Sequence, residues 1–82
     1  MAGIEKMLER IKSKPTDYTV RELDRLMSKC GCEKESGGRG SALRYVHQET
    51  GWVLTFDGPH PGSELYPYQI KKTLQFLTAL GY

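Results

Sequence analysis

From Gly37 to Gly62 the chain reads GGRGSALRYVHQETGWVLTFDGPHPG, and this stretch admits very little helix. It holds six of the nine glycines, and Pro59 and Pro61 stand near its end. Between these breakers lie two alternating runs. In the first, Leu43, Tyr45 and His47 point one way, and Ala42, Arg44 and Val46 the other. In the second, Trp52, Leu54 and Phe56 share a face opposite Val53, Thr55 and Asp57. Gln48-Glu49-Thr50-Gly51 is the turn between them. A hairpin with one large apolar face must bury it against other elements. The flanking segments therefore have to provide the cover.

Both flanks carry helical periodicity. Ile4, Met7, Leu8 and Ile11 form an amphipathic stripe that ends before Pro15, because the residue ahead of a proline is pushed out of helical geometry. Thr19-Val20-Arg21-Glu22 reads as a capping box. Val20, Leu23, Leu26, Met27 and Cys30 mark the apolar face of a second helix, and Gly31 stops it. Cys32 to Ser36 is a modest edge strand. Pro67 suits the first turn of a last helix with a buried stripe of Ile70, Thr73, Leu74, Leu77 and Leu80, leaving Lys71, Lys72 and Gln75 exposed and Gly81 as the stop. The expected core is Leu23, Leu26, Trp52, Leu54, Phe56, Ile70, Leu74 and Leu77. The fold class is α+β: a three-stranded antiparallel sheet covered on one face by two helices, with an extra N-terminal helix. That is the element order of double-stranded-RNA-binding domains (dsRBD). Residues 1–82 are expected to form one domain, with 1–14 a helical extension and 15–82 the core.

The net charge is +2 across 82 residues, so this is no polycation. Up to Glu35, eight basic and seven acidic side chains intermix, the pattern of a solvated helical surface. Later cations come in two local pairs, Arg39 with Arg44 and Lys71 with Lys72, which would form a phosphate-binding patch if folding joined them. No run approaches the roughly 20 apolar residues needed to span a bilayer, so a soluble, cytoplasmic protein is expected. Cys30 and Cys32 are read as reduced thiols, Cys30 being core-facing. They are too few for a disulfide framework and too isolated for a zinc site. No metal or cofactor is expected.

A helix followed by Cys30-Gly31-Cys32, the loop Gly38-Arg39-Gly40-Ser41, then Arg44-Tyr45-Val46-His47, Pro59-His60-Pro61-Gly62 and Leu65-Tyr66-Pro67-Tyr68-Gln69-Ile70 follow one another in fixed order. In this the chain closely resembles the HicA family of bacterial toxins over nearly everything after residue 14. The resemblance implies a dsRBD-like fold, mRNA cleavage as an mRNA interferase, and neutralisation by a HicB antitoxin. It also implies a catalytic histidine directly after the loop's Gly-Ser. Here that position is Ala42, whose methyl group transfers no proton.

Cleavage of RNA through its 2′-hydroxyl needs a base, an acid for the departing 5′-oxygen, and cations near the phosphorane. Histidine fits the first two roles, since its ordinary pKa lies near neutrality. His60, held between two prolines, is the first candidate. His47 is the second, with a turn-lining role as its simpler reading. Arg39, Ser41, Arg44, Lys71 and Lys72 are the candidate RNA contacts. Tyr66 and Tyr68 either stack on bases or pack on the sheet.

Overall fold

The computed structural model describes residues 3–36, 42–57 and 63–82. The chain forms α1 (Ile4–Lys12), α2 (Val20–Lys29), β1 (Cys32–Ser36), β2 (Ala42–His47), β3 (Val53–Asp57) and α3 (Pro67–Leu80). The strands make one antiparallel sheet in the order β1-β2-β3.

Alternation along the strands sets the two faces. Leu43, Tyr45 and His47 of β2 and Leu54 and Phe56 of β3 are buried beneath α2 and α3, together with Cys32. Leu23, Leu26, Met27 and Cys30 come down from α2, and Ile70 and Leu77 from α3. Helix α1 packs across α2 and α3 and inserts Ile11, which is fully buried. The opposite face of the sheet carries Glu33, Glu35, Arg44, Val53, Thr55 and Asp57, all exposed. The α+β architecture, with one covered face and an extra N-terminal helix, is thus present as expected.

Helix ends follow local chemistry. Thr19 Oγ1 accepts from the Glu22 amide at 3.2 Å, one half of the expected capping box. The Glu22 carboxylate turns to Arg10 instead, whose Nε lies 2.6 Å away. Arg10 also reaches Asp17 and sits 5.5 Å over the Tyr18 ring, so this guanidinium pins α1 to the start of α2. Gly31 ends α2 with φ +81°, a left-handed conformation that costs glycine little.

Two expected core positions are corrected. Trp52 is 49% exposed. Pairing of β2 with β3 stops at Val46–Val53, so Trp52 belongs to the turn, where strand alternation no longer governs its side chain. Its amide donates to Thr50 Oγ1 and its carbonyl accepts from the His47 amide. Leu74 is only partly buried, because α3 presents Gln69, Ile70, Thr73 and Leu77 to the core. Leu74 flanks that ridge and borders an open groove with Lys14, Lys71, Gln75, Thr78 and Ala79. Leu74→Ala is accordingly expected to cost about 1–2 kcal/mol, below the about 2–5 kcal/mol of a fully buried leucine. Denaturant unfolding measures this, and a loss above about 3 kcal/mol would restore Leu74 to the core.

Burial also fixes protonation. Loss of water raises the Cys30 thiol from 9.0 to about 11, with a smaller push from neighbouring Cys32. Burial likewise raises the Tyr18 and Tyr45 phenols. The folded chain keeps these protons at pH values where the unfolded chain releases them. The Cys30 contribution is complete below about pH 9 and is lost as pH rises through about 11, while that of the two phenols starts to fall only above about pH 10 and persists beyond that window. The unfolding midpoint should therefore fall between pH 9 and 11; a flat profile would contradict the burial of these groups.

Candidate functional site

Ala42 opens β2, and its side chain lies on the uncovered face, since its neighbour Leu43 points into the core. Its register partner is Asp57, the last residue of β3. Directly opposed residues in antiparallel strands hold their Cβ atoms about 4.5–5.5 Å apart. Two residues along, Arg44 is exposed on the same face and donates from Nε to Glu35 Oε1 at 2.8 Å. Both partners are half-exposed, so the pair orients the guanidinium more than it stabilises the fold. Glu33, Glu35 and Asp57 share this face with Arg44, which is therefore not uniformly basic.

One cation of α3, Lys72, reaches the sheet at its edge. Lys72 Nζ donates to the Thr55 carbonyl at 2.6 Å, and Thr55 is the register partner of Arg44. Folding thus brings Lys72 and Arg44 to the same short stretch of β3. An ammonium carries three donors, so Lys72 keeps two for a phosphate. Lys71 is exposed and faces the groove shared with Lys14.

Gln69 anchors this end of α3. Its side chain is fully buried, accepts from the Tyr66 amide at 2.8 Å and donates to the Asp57 carbonyl. One amide therefore ties the last residue of β3 to the cap of α3. On the far side of that connection, the Leu65 amide donates to the Tyr18 carbonyl and the Val20 amide to the Ser63 carbonyl. Thr19 and Glu64 form a bridge between these two bonds.

His47 is buried at the hairpin end. The Thr50 amide, which can only donate, points at His47 Nδ1 at 3.3 Å, and Thr50 Oγ1 lies 2.8 Å from the same nitrogen. Nδ1 is thus an acceptor, and the ring hydrogen of the neutral imidazole sits on Nε2. Thr50 Oγ1 in turn accepts from the Trp52 amide. His47, Thr50 and Trp52 lock the turn together. Arg39, Ser41 and His60 lie outside the described residues.

Sequence reasoning missed two groups. Tyr45 donates to Asp24 Oδ1 at 2.6 Å, and Lys34 Nζ bonds the other carboxylate oxygen at 3.2 Å. This links α2, β1 and β2, and burial followed by the bond to Asp24 holds the phenol protonated. The alternation placed Tyr45 inward, but nothing in the sequence named Asp24 as its partner. Gln69 was hidden because a glutamine adds nothing to an apolar stripe. Its place three residues after Tyr66, at the helix position where a Gln closes a capping box, was the available signal.

A family model described as the HicA toxin of bacterial toxin–antitoxin systems matches residues 20–78. No curated protein and no solved structure matches the chain. The family match begins at the first residue of α2, takes in all three strands and ends near the close of α3. The chain belongs to the HicA family of bacterial toxin–antitoxin toxins.

Proposed function

We propose that this protein is an RNA-directed toxin of the mRNA interferase type, held in check by a HicB-like antitoxin and acting in the cytoplasm. The observation that carries the reading is the family match over residues 20–78, which contains every described candidate contact. The absence of any helix among the described residues long and apolar enough to cross a membrane accords with it.

In the proposed mechanism the 2′-hydroxyl of the substrate attacks the adjacent phosphate. Arg44 and Lys72, which meet the same residue of β3, Thr55, are proposed to contact the non-bridging oxygens, and Arg39, Ser41 and Lys71 are the further candidate RNA contacts. The acid–base role is the one left to assign. Ala42 cannot serve, so the role is proposed for His60 first and for His47, whose Nδ1 is engaged by Thr50, second. A second reading follows from this. With Ala42 on the uncovered face, the chain binds RNA or its antitoxin without cleaving.

Induced expression with and without an adjacent HicB-like protein tests the reading. Growth arrest relieved by that partner, with loss of cellular mRNA, is expected for an active toxin. Arrest without RNA loss selects the non-cleaving reading, and no arrest together with binding of neither RNA nor the HicB-like protein removes both.

The proposed phosphate-binding lysines give a separate expectation. Reversing Lys71 and Lys72 to glutamate should weaken RNA binding and flatten its salt dependence, by roughly 0.7 in log–log slope for each single-strand phosphate that is no longer neutralised. An unchanged slope would exclude these two lysines from the interface.

A further inference from the structure

Tyr66 and Tyr68 stand side by side at the start of α3, with ring centroids 6.1 Å apart and planes 29° from parallel. Both are exposed, Tyr68 at 58%. Tyr68 is the most exposed large aromatic ring among the described residues, and the core is closed without it. Its position is nevertheless defined: the ring stacks on Tyr66, and Gln69 Nε2 lies 3.4 Å from its hydroxyl. Gln69 itself is fully buried and bonded to β3, so the ring stands on a fixed base.

The helix face that continues from the ring is basic, although Asp57 lies nearby through Gln69. Lys71 and Lys72 follow Tyr68 at i+3 and i+4, the spacing that puts side chains on one helix face. Both lysines are exposed. No acidic residue occurs within α3. An exposed, pre-positioned aromatic stack beside two cations matches a ligand offering an apolar π-face next to a negative charge. A nucleobase with its phosphate offers both, and stacking requires that the base be unpaired. A duplex buries its base faces and presents only backbone and groove edges.

We propose that Tyr68, supported by Tyr66, is a base-stacking platform that makes the protein select single-stranded RNA, with the neighbouring phosphate held by Lys71 and Lys72. This rests on the RNA-directed reading above and deepens it: the dsRBD-like element order would by itself suggest a duplex, and the tyrosine stack points the other way. The stack would hold an unpaired base on the same helix that sends Lys72 to the Arg44–Thr55 pair.

The test measures binding of the full chain to a fluorescent single-stranded RNA octamer and to the same octamer annealed to its complement. The parent, Tyr68→Ala, Tyr68→Phe and Lys71→Glu/Lys72→Glu are compared, with circular dichroism checking the fold of each. Alanine is a better helix former than tyrosine, so Tyr68→Ala should remain folded. The parent should prefer the single strand. Tyr68→Ala should weaken single-strand binding by about 5- to 160-fold, the range for losing one stacked base. Its salt slope should stay at the parental value, because every bound phosphate keeps its cation. Tyr68→Phe should retain most of the affinity, since the ring and not the hydroxyl does the stacking.

Equal or tighter duplex binding by the parent overturns the proposal and leaves the RNA-directed reading standing. So does a Tyr68→Ala variant with parental affinity, or a Tyr68→Phe variant as weak as Tyr68→Ala. A folded parent that binds neither RNA removes both the proposal and the reading beneath it.

Discussion

Replacing Ala42 with histidine is expected to raise RNA cleavage by about 10²–10⁴-fold, the usual contribution of a positioned general acid–base group. Position 42 lies on the uncovered sheet face, so a ring can be added without entering the core. Asp57 stands opposite it, near enough for its carboxylate to accept from an imidazole nitrogen, fix the tautomer and stabilise the imidazolium. Arg44, proposed to contact a phosphate, follows two residues along on the same sheet face. The gain should therefore be partly lost in Ala42→His/Asp57→Asn. That double variant separates a placed imidazole from a merely added one. The competing account gives the role to His60: the parent chain then cleaves RNA already, and His60→Ala abolishes cleavage. Cleavage assays and induced toxicity of the parent, Ala42→His and His60→Ala decide between them. A folded but inert Ala42→His sinks the first account, and an active parent unaffected by His60→Ala sinks the second.

Gln69→Ala should be the most destabilising single polar substitution in the described residues, at about 3–5 kcal/mol. Two costs add. Removing a fully buried side chain leaves a cavity. The Tyr66 amide and the Asp57 carbonyl also lose their partner inside the fold. Gln69→Glu dissects the pair, because a carboxylate can still accept from Tyr66 but cannot donate to Asp57. It should be destabilised as well, through two oxygens facing each other. Urea unfolding with an unchanged m-value reads both effects. A loss below about 1 kcal/mol for Gln69→Ala would mean that water replaces the amide at little cost.

The inward-facing strand positions and α2 were legible because burial and periodicity are written in the same residues. Leu43, Tyr45, Leu54 and Phe56 alternate, and Leu23, Leu26 and Met27 recur at helical spacing. The helix stops at Gly31 and Gly81 were legible for the same kind of reason, since both take left-handed backbone. Reading failed where a polar contact set the geometry. Thr73 was rightly expected inside, but following apolar residues around α3 rotated its buried face toward Leu74, whereas Gln69 occupies the deep position, its carbonyl accepting from Thr73 Oγ1. Trp52 was misplaced because alternation was carried one residue past the last strand pair. At the candidate site, exposure of Arg44, Lys71 and Lys72 followed from their faces. The route joining Arg44 to Lys72 through Thr55 depends on how α3 docks along β3, which no local pattern encodes.

The family match starts at residue 20, yet the cooperative unit of this fold starts earlier. Ile11 is fully buried and Tyr18 is 2% exposed, while Arg10 clamps Asp17 and Glu22. The Tyr18 carbonyl also holds the Leu65 amide, ahead of α3. A chain cut at the family boundary would keep every described residue proposed to touch RNA, yet two side chains would be missing from the centre of its core. What is shared with relatives and what must fold together are different lengths of the same polypeptide. The segment that carries no proposed chemistry sets whether the rest persists long enough to act.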